Sequence, residues 1–146
     1  MAEMAVFTNM CMVSRGDEVL VQQRSDTNWP GIVFPGGHAE AGEAFVESVI
    51  REVREETGLT IEHPELCGVK QFADHEGSRY VVFLYRTDRF TGELASSDEG
   101  EVFWVKRDEV AFLPLASGVA PMLPIFFGSF PAELIWRDGI PTLLEL

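Results

Sequence analysis

Residues 5–13 are largely apolar, and after the turn signal Ser14-Arg15-Gly16-Asp17 the chain resumes as Val19-Leu20-Val21-Gln22-Gln23-Arg24, which predicts two strands joined as a hairpin. A polar stretch over 25–28 leads to Ile32-Val33-Phe34, a short buried strand. Pro35-Gly36-Gly37 follows, and its glycines allow sharp turns and the close approach of a ligand. Residues 43–57 contain no Gly or Pro and place Phe45, Val46, Val49, Ile50 and Val53 at helical spacing, with Gly58 as the expected stop. Residues 66–72 and 79–86 read as strands flanking a turn at 74–78, and 101–105 as another. A second helix is predicted over 118–127, provided Pro121 and Pro124 fall in its first turn. The tail over 134–140 predicts a hairpin around Asp138-Gly139.

On a helical wheel at about 100° per residue with Phe45 at zero, the apolar set of 43–57 covers roughly 0–140°, the arc expected to face the core. Arg54, Glu47 and Arg51 fall on an ordinary solvated face, where Arg51 can pair with Glu47 or Glu55. Glu52 at about 340°, Glu55 at about 280° and Glu56 at about 20° instead share one stripe bordering the apolar arc. Such carboxylates repel one another and lose hydration, so they rise in pKa or call for a cation. A Glu-rich helix is usually just a solvated one. The double glycine upstream, with free carbonyls and amides, tips the balance toward a divalent ion and phosphate oxygens.

Length and charge narrow the partners. With 146 residues, 46% of them hydrophobic, the chain suits one compact domain over 1–146. Eleven Lys and Arg against 24 Asp and Glu give a net charge of -13, which disfavours a polynucleotide or an anionic membrane as partner and leaves a small-molecule substrate. Cys11 and Cys67 sit in apolar stretches and read as reduced core thiols, pointing to a cytoplasmic location. No stretch approaches the roughly 18 apolar residues that span a bilayer, and Met1-Ala2-Glu3-Met4 has no basic leader character. His38, His63 and His75 have no zinc-site spacing. Leu134, Ile135 and Trp136 are candidates for a homodimer surface, although core packing is the commoner use of such residues.

Gly37, five residues, Glu43, seven residues and then Arg51-Glu52-Val53-Arg54-Glu55-Glu56-Thr57-Gly58-Leu59 resembles an intact Nudix box, with all nine fixed positions matched. The resemblance implies an α/β fold, a mixed β-sheet sandwiched between helices, carrying a catalytic loop-helix. It implies hydrolysis of a nucleoside diphosphate linked to another group, with Mg2+ or Mn2+ as cofactor. Carried over residue by residue, the metal ligands are Glu55, Glu56 and the Gly36 carbonyl. Glu52 maps to the base on the attacking water in MutT-like members, and a metal-ligand role is its competitor. Arg51 orients the glutamates and Glu43 supports the loop-helix, while Gly37 opens the box beside the substrate. Arg24 sits where MutT-like proteins place a phosphate-contacting arginine; a strand-end surface charge is the alternative. Many members add a distal carboxylate, for which Glu99 is the first choice and Glu101 the second, and a plain solvated loop explains that cluster equally well.

Outside the box there is no coenzyme A signature, and no proline or tyrosine at the spacing typical of ADP-ribose or dinucleoside polyphosphate enzymes. By elimination and size the chain is similar to MutT-type nucleotide-pool enzymes, which convert 8-oxo-dGTP to monophosphate and pyrophosphate. An ADP-ribose or nucleotide-sugar pyrophosphatase is the alternative, and a non-catalytic nucleotide-binding module, which usually has an eroded box, is the alternative of another class. Asn9 on the first strand offers an amide that both donates and accepts toward a base edge, and Phe7 or Trp29 could stack on the base; core or turn roles compete for all three.

Overall fold

The computed structural model describes every residue from Met1 to Leu146. Strand β1 (Ala5–Arg15) alternates its side chains as a pleated chain must. Met10 and Met12 enter one core, Cys11 and Val13 another, on opposite faces. The chain turns at Gly16 into β2 (Glu18–Arg24), but only Ser14 with Val19 and Arg15 with Glu18 pair across the predicted hairpin. Beyond those pairs the two strands diverge. The wedge between them is filled by β3 (Gly31–Val33), which pairs with the end of β2, and by the Pro35-Gly36-Gly37 loop, which lies along β1.

Helix α1 (Phe45–Thr57) follows and ends where Gly58 takes the left-handed conformation, φ 79°, donating its N–H to Arg54 O. Next come β4 (Thr60–Glu62), β5 (Glu65–Ala73), β6 (Arg79–Thr87), β7 (Arg89–Thr91) and β8 (Gly100–Lys106). A 3-10 segment (Arg107–Phe112) and a second one (Ala120–Met122) lead into a one-turn helix α2 (Leu123–Phe127), and β9 (Ala132–Arg137) and β10 (Ile140–Glu145) close the chain as the predicted tail hairpin.

The strands form a mixed sheet in the order β10-β9-β5-β6-β1-β2-β3, with β8 also on β2. The β1/β6 and β5/β9 pairs are parallel and the rest antiparallel, while β4 and β7 make a separate two-stranded ribbon. Helix α1 packs Val49 and Val53 against Cys11, Val13 and Tyr85 on one face. Met122, Ile125 and Phe126 cover Met10, Leu84 and Leu134 on the other. The helix-sheet-helix sandwich is therefore present, and no helix is long and apolar enough to cross a membrane.

Two predicted elements differ from expectation. The helix over 118–127 is broken into a 3-10 turn and a short α-turn, each with a proline in its first positions, because a proline lacks the N–H that a continuous helix would need. On α1, Phe45 and Val46 stay 39% and 43% exposed, although Phe45 packs on Phe7 of β1 and Phe83 of β6. The buried stripe is Ser48, Val49, Val53, Glu56 and Thr57.

Candidate active site

Three elements converge at the N-terminal half of β1. The loop runs beside it in extended conformation: Cys11 N–H donates to Pro35 O, Asn9 N–H to Gly37 O, and Ala39 N–H to Phe7 O. A Cβ on Gly36 would run into the Asn9 carbonyl, and one on Gly37 into the Glu52 carboxylate. Both glycines are thus required by close approach rather than by a sharp turn. Because Pro35 and Gly37 carbonyls point to β1, the Gly36 carbonyl between them points away and accepts no hydrogen bond.

Asn9 belongs to the β1 face that meets α1. Its amide Nδ2 donates to Ser48 Oγ at 2.9 Å, and its Oδ1 accepts from Gly37 N–H at 3.1 Å. One buried amide thereby ties strand, loop and helix together. Asn9 borders the cleft together with Thr8 and Met10, but in this structure both ends of its amide are taken up by Ser48 and Gly37 rather than turned to a base edge. Phe7 packs on Phe45 and Phe83 at 5.2 and 6.3 Å and does not line the cleft.

Arg51 is the second tie. Its Nε and Nη2 grip both oxygens of Glu43 at 2.8 and 2.9 Å, Nη1 donates to Glu52 at 2.9 Å and to Glu55 at 3.2 Å, and Nη2 also reaches His38 O at 3.1 Å. The wheel put Arg51 on a solvated face beside Glu47. It is instead partly buried, because Glu43 precedes the helix and folds back where no wheel angle applies. Hydrogen bonding to Arg51 holds the Glu43 carboxyl down to about 2.

Glu56 is 5% exposed. Its Oε2 accepts from Gly36 N–H at 3.1 Å, with Gln22 Nε2 at 3.5 Å. Burial, then the charges of Glu52 and Glu99, push its pKa up to about 8 against the opposing Gly36 hydrogen bond. Glu52 is raised as well, chiefly by burial, with Arg51 acting against it. Glu99, from the loop before β8, lines the same cleft as Glu52 and Glu56, whereas Glu101 is exposed opposite Gln23 on β2 and outside it. Glu55 is 55% exposed and turned to Arg51, outside the cleft lining.

These groups fit a hard divalent ion. Three carboxylates and an unpartnered carbonyl are all oxygen donors, and the raised Glu52 and Glu56 pKa values mark negative charge without enough compensation. No three acidic side chains stand close enough to enclose an ion alone. Magnesium is ordinarily held in just this open way, by one or two carboxylates with the rest of its shell from water and substrate phosphates.

The cleft has a volume of about 550 Å³. Arg24 lies at its rim, donating to Trp29 O at 2.8 Å and Asp26 at 3.0 Å, with its guanidinium 4.8 Å from the Trp29 ring centre. Trp29 lines the cleft, as does His38, whose ring meets Tyr80 edge-on. Another part of the lining comes from one face of β5 and β6, with Lys70, Phe72, Tyr80 and Val82. The sequence reading assigned none of these to the site. Their alternation marked strands, but only the register of β6 on β1, which sets Thr8 beside Val82 and Val82 beside Lys70, brings them to the cleft.

Comparison with known proteins agrees with this geometry. The family profile described as the NUDIX domain matches residues 6–126. An uncharacterized Nudix hydrolase of Bacillus subtilis, YvcI, is 39% identical over 113 residues, covering 74% of this chain and 70% of that protein. An ADP-ribose pyrophosphatase of Methanocaldococcus jannaschii is 30% identical over 92 residues, 62% of this chain and 54% of that one. Among solved structures, a mutator MutT protein from Bacillus halodurans superposes with a TM-score of 0.77 at 32% identity, over 96% of this chain and 97% of the other. With its profile, its fold and its clasped acidic helix in agreement, the chain belongs to the Nudix hydrolases, as a pyrophosphohydrolase of that family.

Proposed function

We propose that residues 1–146 act as one unit that hydrolyses a nucleoside triphosphate of the 8-oxo-dGTP class to the monophosphate and pyrophosphate. The observation that carries this reading is the make-up of the cleft: Glu52 and Glu99, whose charges act on Glu56, line it with Gly36, and so do the rings of Trp29, Phe34, Phe72 and Tyr80. A pyrophosphate chain with its cation suits the carboxylates, and a planar base suits the rings. Likeness over nearly the full length of both chains to a MutT protein supports a triphosphate over ADP-ribose, for which the similar protein matches only 62% of this chain.

In this reading Glu52 takes the proton of the attacking water as its oxygen bonds to phosphorus and the bond to the leaving pyrophosphate oxygen breaks. Arg51 keeps the Glu52 carboxylate aimed, and Glu43 keeps Arg51 in place. Glu56, Glu99 and the Gly36 carbonyl would hold the cation, and Glu55 would join them only by leaving Arg51. Magnesium or manganese bound there supplies neutralisation of charge on the phosphate oxygens. Arg24 at the rim approaches the phosphate chain once released from Asp26.

The test is incubation with Mg2+ and a panel of 8-oxo-dGTP, the ordinary dNTPs and ADP-ribose, with Glu56→Gln run in parallel and products resolved. Selective formation of 8-oxo-dGMP and pyrophosphate, lost in the variant, is expected. Preference for ADP-ribose would overturn the substrate, and turnover unaffected by the substitution would overturn the site.

A further inference from the structure

Lys70 lies mid-strand on β5 and is 7% exposed, an unusual place for an ammonium. Its only hydrogen bond is a long one, Nζ to Gly118 O at 3.5 Å. Nζ also lies over the rings of Phe72 and Trp136, 5.4 and 5.3 Å from their centres. Lys70 forms no ion pair, and Glu133 on the neighbouring β9 accepts from Gln71 instead. Burial alone draws the amine down to about 8, with no charged partner acting in either direction. An ammonium has three donors, and here at least two have no protein acceptor.

Position gives this amine a purpose. Thr8, Val82 and Lys70 form one row across β1, β6 and β5, and the row faces the cleft. From β5 to the glycine loop on the far edge of β1 is three strand spacings, about 14 Å. Lys70 therefore stands apart from the glycine loop, beside Phe72 and Tyr80 of the cleft and Trp136 of the cavity adjoining it, rings that suit a planar π-system.

We propose that Lys70 is a specificity-determining residue whose ammonium donates to the carbonyl oxygen of a purine, selecting guanine-type bases, oxidised or not, over adenine. Guanine presents O6, an acceptor, where adenine presents an amino group that would meet the ammonium donor to donor. Oxidation at C8 leaves O6 in place, so the selection applies to both forms. The inference rests on the proposed reading only in taking the ligand to be a nucleotide.

The experiment measures equilibrium binding of dGMP, 8-oxo-dGMP and dAMP to wild type and Lys70→Met by calorimetry, beside thermal melts of both proteins. Monophosphate binding needs no turnover, so the result stands even where the triphosphate is a poor substrate. Wild type is expected to prefer both guanine nucleotides over dAMP by about tenfold or more, the ratio that one well-placed base contact gives. In Lys70→Met that preference should collapse to within about twofold while dAMP binding is kept, and the variant should melt higher, because an isosteric apolar chain replaces a buried unpaired charge. A wild type without preference, a variant that keeps it, or equal weakening toward all three ligands would overturn the proposal. So would a lower melting temperature with unchanged selectivity, which would make Lys70 a clip for the Gly118 carbonyl.

Discussion

Glu56 shows how one side chain sets stability against function. Its folded pKa, about 8, lies above the usual carboxylate value of 4.5. Between those limits the folded state binds more protons than the unfolded one, so cation-free protein should lose stability as pH rises from about 4.5 to 8. Melting curves in EDTA across that range test the sign. Glu56→Gln should remove most of the slope and melt above wild type at pH 8. Glu43 has the opposite sign: its pKa is lowered from 4.5 to about 2, so its contribution is fully present above 4.5 and is lost progressively as pH falls from there through 2. Glu52→Gln should lower kcat by roughly 10²- to 10⁴-fold, the range for loss of a positioned base, with the fold intact by circular dichroism. Arg51→Lys keeps the charge but cannot fork between Glu43 and Glu52. A fall in kcat of about tenfold with little change in KM is expected, read by steady-state kinetics, as for loss of an orienting partner.

At the scale of elements, the glycine loop, β1 and α1 behave as one clasped unit, and its two glycines should respond differently to the same change. Gly37→Ala pushes a methyl group into the movable Glu52 side chain, so activity should drop more than stability. Gly36→Ala meets β1 backbone, which cannot yield, and should cost about 1–3 kcal/mol, measured by denaturant unfolding. Helix α1, its Gly58 stop and the principal strands were legible in the sequence because each is specified by local spacing. The short β4/β7 ribbon was not, since three residues per strand carry too little alternation to register. Wheel geometry placed Glu52 and Glu56 beside the apolar stripe, and both line the cleft; it misjudged Arg51, whose main partner Glu43 lies off the helix. Asn9 could not be assigned to a face until the strand's partner on each side was known, and Lys70 depends on register across three strands. Neither relation is local.

For the whole molecule, the surplus of acid over base, net -13, should make a divalent cation, typical of the family chemistry, a stabiliser as well. Magnesium at about 100 times its Kd should raise stability by about 2.7 kcal/mol through binding to the folded state alone. Thermal melts with and without Mg2+ in moderate salt should show the shift in wild type and not in Glu56→Gln, which separates site binding from general screening. The parting of β1 from β2 after two residue pairs has a wider consequence. In the proposed reading it would leave hydrolysis and recognition on different pieces of the sheet: the clasp on one edge of β1, the aromatic wall on β6 and β5 beyond its other edge. Substitutions on the wall can therefore retune which nucleotide enters without disturbing the carboxylates, so the box and the choice of substrate are free to diverge at separate rates.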